Sequence, residues 1–479
     1  MSIFPGLIED TADGTSDLRK YCSGLMPLTG RLEPWMTDLI SDRNLPELLT
    51  KHGSPLNLIT SQPMCRNVGE LNEVAKSRRL DFRVFFARKS NKCLTFVEAA
   101  RDLGIGLDTA SENELQQCLD QEVTSPDLIC SAAIKNESLL RLCITKDVCI
   151  AVDNMDELEV VSDLAHALHR VAIIALRIGG FVHQGQKLLT RFGFDVQRDI
   201  ELPIQLKHFF VKVEGIHFHL DGYDPDQRVT AILEAIRWIE ALRFAGHCPS
   251  FIDMGGGCPM SYLEDELQWE RFWVELKLAL TRQRTPLTYR GHGLGLVATS
   301  EGVIGQPNCY PYFQTPTRGA WLASILDTVV DSHSIAYRLR HTTVQLRCEP
   351  GRSLMDGCGI TLASVEFRKQ NLDGDWLIGL SMNRTQCRTS SDDFLVDPIL
   401  IPTGKPDENM SGYLVGAYCT ESELLSLRKM NFPHGVRRGD LIVFPNTAGY
   451  LMHFLESRSH QLPLAENLNV DHWKLDKSH

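Results

Sequence analysis

No uninterrupted apolar run in the 479 residues approaches the ~20 needed to cross a bilayer, so a membrane-spanning helix is not expected. Clusters of Lys and Arg are missing too, and the formal net charge is −12. Nucleic-acid binding rests on such clusters, so no nucleic-acid partner is expected. The fourteen cysteines include no CxxC pair, no framework spacing and no His/Cys cluster. That argues against a disulfide scaffold and against a zinc site, and no metal is expected. The stretch MSIFPGLIEDTADGTSDLRK carries early acidic residues and lacks an apolar h-region, so a secretory signal is not expected and the expected location is the cytoplasm.

What is present is an ordinary globular composition, 43% hydrophobic and 23% charged, in a chain too long for one simple core. From about residue 80 to residue 355, short β-branched or aromatic runs alternate with helical periodicity, the pattern of βα units on a parallel sheet. The runs are FRVFFA (82–87), GIGLD (104–108), DLICS (127–131), VCIAV (148–152), VAIIALR (171–177), VEGIHFHL (213–220), SFIDM (250–254) and TVQLRC (343–348). Candidate helices between them include 154–170, 225–246 and 318–333. Eight strands with intervening helices is the count of a (β/α)8 barrel. After Asp356 the helical periodicity thins out, and GITLASVEFRKQ, DWLIGL, SGYLVGAYC and GDLIVF read as antiparallel strands. The expected organisation is therefore an α/β chain: a TIM-like barrel over 61–355 and an antiparallel β domain over 356–479, to which residues 1–60 contribute in part. A Gly/Pro-rich stretch, 285–317, reads as an insertion between the seventh and eighth strands.

Barrel chemistry gathers where strands end. The residues there are Lys89, Asp108, Arg177, His219, the triple glycine Gly255–Gly256–Gly257, and EPGR with Glu349 and Arg352. Singly, each has an ordinary structural reading: a snorkelling lysine, a satisfied core histidine, a tight turn, a stapled loop. Six on one predicted face make coincidence a poor account. Three glycines let backbone N–H groups approach an anion closely, and Arg352 on the neighbouring loop adds a bidentate cation, on the two loops that commonly hold phosphate in such barrels. A lysine in the same mouth can form a Schiff base with an aldehyde. Lysine, phosphate loops and a carboxylate for a ring nitrogen together point to pyridoxal 5'-phosphate.

The ordered set FFARKSN, GLDTASENEL, GIHFHLDG, FIDMGGGCP, CEPGRSL, GAYCTESELL and GDLIVFPNTAGY resembles the fold-type III pyridoxal phosphate decarboxylases, the ornithine/diaminopimelate/arginine decarboxylase family, over roughly residues 52–455. The resemblance implies an alanine racemase-like fold and an α-decarboxylation. It implies that Lys89 carries the cofactor, His219 stacks on its ring, and Glu349 pairs with the ring nitrogen. It assigns Gly255, Gly256, Gly257, Arg352 and Tyr450 to the phosphate, and Asp108 and Arg177 to support near the lysine. Cys419 resembles a cysteine that one subunit lends the other to reprotonate the α-carbon, and Glu423 stands near the far end of the substrate. A homodimer with shared active sites is implied.

The chain departs from the family in places. The phosphate-binding Gly-Ser after the stacking histidine is Asp221–Gly222, KFG is Arg191–Phe192–Gly193, and a substrate-contacting DGG segment reads GLSMNR (379–384), without its acid. The substrate class thus stays open among a diaminopimelate-like, an ornithine-like and a conjugated diamino acid. Arg384 or Arg388 is available for a distal carboxylate, and Asp392 or Asp393 for a distal amine. Two other readings stay open: a racemase or lyase reaction on the same cofactor, and a non-catalytic homologue acting as a protein-binding module.

Overall fold

The computed structural model describes residues 18–41, 44–389 and 394–478. The chain divides into two compact units. A barrel unit comprises Ser61–Met260 and Thr315–Asp356 with a short tail from Lys477, and a sheet unit comprises Met1–Thr60, Ser261–Gln314 and Gly357–Asp476.

In the barrel unit the strands Phe82–Ala87, Gly106–Thr109, Leu128–Cys130, Cys149–Val152, Ala172–Gly179, Val211–His217, Phe251–Asp253 and Gln345–Cys348 pair in parallel and close into a ring, with Phe194–Asp195 added beside Ala172–Gly179. All eight runs read from the sequence are strands, within a few residues at each end. Their residues are buried on both faces, which is why each reads as a continuous apolar run rather than an alternating one. The interior is packed solid. Phe85 and Phe251 fill it, with the Arg347 guanidinium 4.9 and 3.7 Å from their ring centroids. A Cβ at Gly106 or Gly215 would lie 2.3 or 2.4 Å from those rings, so only glycine lets them lie flat. The helices Met155–Ala167 and Pro225–Phe244 begin at Asn154 and Asp224, whose side chains accept from backbone N–H groups in the first turn. The helix expected over 318–333 stops at Asp327. Val329–Val330 and His333–Ser334 instead form a small hairpin around Asp331 and Ser332, both at positive φ, because the β-branched pair takes an extended backbone there.

The sheet unit is built on the long strand Gly359–Gln370, which pairs antiparallel with Trp376–Leu380, Leu56–Ile59 and Leu441–Phe444. Most pairings are antiparallel, but Trp376–Leu380 runs parallel to Met410–Val415, and Leu56–Ile59 parallel to Glu466–Asn469. The helices Pro34–Ser41 and Leu45–His52 bury Met36, Ile40, Leu45 and Leu49 at i, i+4 spacing against Leu56, Leu58, Ile360, Leu362, Leu441 and Val443. Each such side chain, fully buried, stabilises by about 1.5–3 kcal/mol before conformational entropy is counted. The Gly/Pro-rich stretch belongs here up to Gln314. Tyr289 N–H donates to Leu427 O and Lys429 N–H to Leu287 O, both at 2.8 Å, and the buried Tyr262, Tyr310 and Tyr312 pack ring to ring.

Candidate active site

The first barrel strand runs into a single 3-10 turn, Arg88–Ser90. Arg88 is buried and donates to Asn91 O at 2.8 Å and Gln117 Oε1 at 2.6 Å, which locks the turn that presents Lys89. Lys89 Nζ donates to Asp108 Oδ2 at 3.4 Å, and its side chain is 34% exposed while that of Asp108 is 0%. Asp108 Oδ1 in turn accepts from Ser131 Oγ at 2.5 Å. The ends of three consecutive strands thus line up a hydroxyl, a carboxylate and an amine.

Deeper in the same barrel lies a buried group that sequence reasoning recovered only in part. His217, Asp253 and Glu349 offer ligand-type atoms within 4.8 Å of one another. His217 Nε2 is 3.2 Å from Glu349 Oε2, and Asp253 Oδ1 accepts from Gly255 N–H at 2.9 Å. Glu349 Oε1, Asp253 Oδ2 and His217 Nδ1 are buried without a hydrogen-bond partner among the described residues. Burial, with Asp108 nearby, pushes the Glu349 carboxyl up to about 8. Burial and then Glu349 push Asp253 up to about 7. Burial and then Arg177 push the His217 imidazolium down to about 4, so the ring is neutral. The trio has the donor set of a cation site, although no metal was expected from the sequence, and the positive charges acting on it come from Lys89, Arg177 and Arg347.

Arg177 lies two residues before the end of the fifth strand, with its Nε 3.7 Å from Asp153 Oδ1. Its guanidinium lies over Phe192 at 4.0 Å, and that of Arg191 lies on the same ring at 3.9 Å. Two residues past the sixth strand, His219 Nδ1 accepts from Gly256 N–H at 3.1 Å, so the neutral ring carries its proton on Nε2. Burial, reinforced by Lys89, holds its pKa well below the usual value. The triple glycine is required by space. A Cβ at Gly255 would lie 2.5 Å from Phe218 O, at Gly256 2.9 Å from Glu349 O, and at Gly257 2.3 Å from Arg228 Nη2, with Gly255 and Gly257 at φ +65 and +77. Glu349 N–H donates to Gly255 O at 2.8 Å, and Ala87 N–H to Pro350 O at 3.3 Å, so this turn, the EPGR turn and the lysine strand are tied together. Arg352 is half-buried on that last turn.

The remaining candidates lie in the sheet unit. Tyr450 has φ +70, and its ring packs edge-on to Phe454 at 5.5 Å. Glu423 is buried: Arg384 N–H donates to its Oε1 at 2.8 Å, and Arg384 Nε lies 3.9 Å from its Oε2. Two residues suggested for the distal end of a substrate are therefore paired with each other. Arg388 Nη2 donates to Leu424 O at 3.2 Å. Cys419 is exposed, its N–H 3.5 Å from His460 Nε2, and Tyr418 stacks on that imidazole at 5.1 Å. Asp392 and Asp393 lie outside the described residues.

Ser131, His217, Asp253 and Arg228 went unassigned in the sequence. His217 and Asp253 stand inside quoted runs, two residues before His219 and before the triple glycine; a charged or imidazole side chain inside a doubly buried strand was the available signal.

These residues fit pyridoxal phosphate. The unpartnered Glu349 Oε1 suits a protonated ring nitrogen, the glycine turn leaves a cradle that any Cβ would fill, and Lys89 is the amine for the aldehyde. The profile of the family described as "Pyridoxal-dependent decarboxylase, pyridoxal binding domain" matches residues 66–285. The chain is 31% identical over 424 residues to the uncharacterized protein y4yA of Sinorhizobium fredii, covering 86% of this chain and 87% of that one. It is 25% identical over 237 residues to the diaminopimelate decarboxylase of Bacillus methanolicus, a match covering 46% of this chain and 54% of the relative, about half of its length. In fold it is similar to diaminopimelate decarboxylase from Helicobacter pylori complexed with L-lysine, with a TM-score of 0.66 at 18% identity over 90% of this chain and 94% of that one. The barrel, the lysine at its first strand and these similarities converge: the chain belongs to the fold-type III pyridoxal phosphate-dependent decarboxylase family.

Proposed function

We propose that the chain is an α-decarboxylase of an amino acid, with Lys89 as the covalent anchor of the cofactor. The observation that carries this reading is the buried Glu349 carboxylate, one oxygen of which has no partner, in the same barrel as the Lys89–Asp108 pair and the glycine turn. Bound pyridoxal phosphate supplies an electron sink, its protonated ring drawing off the electron pair left at the α-carbon when CO2 departs. Glu349 keeps that ring nitrogen protonated by accepting its hydrogen bond in a site that excludes water. Asp108, held by Ser131, accepts from Lys89 and would give its ammonium a counter-charge whenever the lysine is not bound to the cofactor. His219 presents a neutral ring face, held by Gly256 N–H. Lys89, or Cys419 of a second subunit, returns a proton to the α-carbon; the exposure of Cys419 supports such a role across a homodimer.

For the substrate, the Glu423–Arg384 pair offers a carboxylate and a guanidinium side by side. It suits a distal end carrying both signs, which favours a diaminopimelate-like or conjugated diamino acid over a plain diamine. A cytoplasmic location accords with a reduced cofactor enzyme whose fourteen cysteines are all free thiols.

The test is spectroscopic and chemical. Protein incubated with excess pyridoxal phosphate and freed of unbound cofactor should absorb as a lysine-bound cofactor and release CO2 from at least one member of an amino-acid panel. Lys89→Ala should do neither. A colourless wild-type protein would overturn the proposal.

A further inference from the structure

Arg228 is a fully buried cation of the barrel unit that the mechanism above leaves without work. It sits in the first turn of the helix Pro225–Phe244 and is 0% exposed. Its Nη2 donates to Gly222 O at 2.8 Å and Leu220 O at 3.1 Å, and lies 3.5 Å from Gly256 O. Nε and Nη1 are buried without any hydrogen-bond partner among the described residues. Trp321 backs the guanidinium, its ring centroid 5.8 Å away, and its indole N–H is itself held by Tyr223 O at 2.7 Å. Among the described residues no carboxylate forms an ion pair with it. A buried cation with two idle donors is costly, and burial, opposed in part by Cys258, Asp224, Tyr223 and Asp221, brings this guanidinium down to about 10.

The carbonyls it holds belong to the two loops assigned to the phosphate. A trans peptide sets its C=O and N–H on opposite sides. The carbonyls of Gly222 and Gly256 turn toward Arg228, so the peptide N–H groups that follow them, those of Tyr223 and Gly257, point to the other side. Gly257 has no room for a Cβ because Arg228 Nη2 occupies it, so the glycine and the arginine are fitted to each other. This is also the stretch where the chain carries Asp221–Gly222 in place of the family's Gly-Ser, having lost a hydroxyl and gained a carboxylate.

We propose that Arg228 is a positioning residue for the cofactor's phosphate: it orients the Gly222–Tyr223 and Gly256–Gly257 peptide units and supplies, from beneath them, the buried positive charge that offsets Asp221 and complements a phosphate dianion. The inference rests on the pyridoxal phosphate reading above and adds a residue to it. It explains why an uncompensated guanidinium is tolerated here: the anion that satisfies its field arrives with the cofactor.

The experiment compares pyridoxal phosphate with pyridoxal, which lacks the phosphate, by titrating each into cofactor-free full-length protein and following the absorbance of the lysine-bound form. In Arg228→Met the Kd for pyridoxal phosphate should rise about 10- to 100-fold while that for pyridoxal stays within a factor of about two, collapsing the preference for the phosphorylated form. Arg228→Lys, which keeps the charge with fewer donors, should restore part of the preference, and it carries the test alone should Arg228→Met fail to fold. An equal loss for both ligands would make Arg228 merely structural and overturn the proposal, as would an unchanged preference in either variant. A wild-type protein that binds neither ligand would instead overturn the cofactor reading, so the two failures are distinguishable.

Discussion

His217 Nε2 and Glu349 Oε2 lie 3.2 Å apart, with both side chains all but sealed from solvent and Asp253 beside them. Burial raises both acids, so the cofactor-free barrel holds carboxyl protons that an unfolded chain would release, while the depressed His217 works in the opposite direction below the usual imidazole value.

That sets a pH dependence. A carboxyl raised in the folded state contributes stability that is complete below its unfolded value and is lost as pH rises through its folded value. With Glu349 at about 8 and Asp253 at about 7, and with the depressed His217 and His219 opposing them up to the ordinary imidazole value of 6.5, the cofactor-free protein should lose thermal stability as pH rises from there to about 8. Glu349→Gln should flatten that slope. A melting temperature that climbs over this range in the wild type and responds identically in Glu349→Gln would refute the account.

The same substitution should hurt catalysis more than cofactor loading. Under the proposed function Glu349→Gln removes the charge that would keep the ring nitrogen protonated, and a fall in kcat of about 10²–10³-fold is expected, the scale of losing one well-placed electrostatic partner. Cofactor content, read by absorbance after exhaustive washing, should stay near the wild-type ratio.

Ser131 acts only through Asp108, and Asp108 through Lys89. Asp108→Asn should cost more than Ser131→Ala, about 10²-fold against about 10-fold in kcat/KM, scaled to a charged against a neutral hydrogen bond. Both variants should keep the visible absorbance that Lys89→Ala lacks; equal losses would break the proposed chain of support.

Away from the site, Arg318 bridges Asp356 at 2.5 Å and Glu70 at 2.7 Å with little exposure. Arg318→Leu strips the guanidinium from Asp356, which is itself 2% exposed, and should destabilise the barrel unit by about 3–5 kcal/mol in urea unfolding of the full chain. A cost below about 1 kcal/mol would show that water reaches the carboxylate.

The barrel strands were legible because a parallel strand covered on both faces must be apolar along its length, and Phe82–Ala87 coincides with the run that announced it; the antiparallel strand Gly359–Gln370, buried over its first half only, coincides with its run as well. Lys89, Asp108 and Glu349 were legible because they follow such runs. His217 escaped because its partner Glu349 lies 132 residues away and only ring closure brings them together. Arg228 reads in sequence as one solvated charge on a long helix; nothing local says that two glycine loops fold over it. The Gly/Pro-rich stretch announced irregular backbone, but composition carries no information about which sheet its strands and tyrosines join.

The chain leaves the barrel after Met260 and returns at Thr315, having laid down part of the sheet unit in between. The eighth strand, Gln345–Cys348, is the closing stave: it pairs with Phe251–Asp253 on one side and with Phe82–Ala87, more than 250 residues earlier, on the other. Glu349 and Arg352 ride on its end. A nascent chain emerging from the ribosome therefore presents Lys89 early and the partner for the ring nitrogen late, and the ring stays open until both are available. Cofactor competence is the last property the barrel acquires in synthesis.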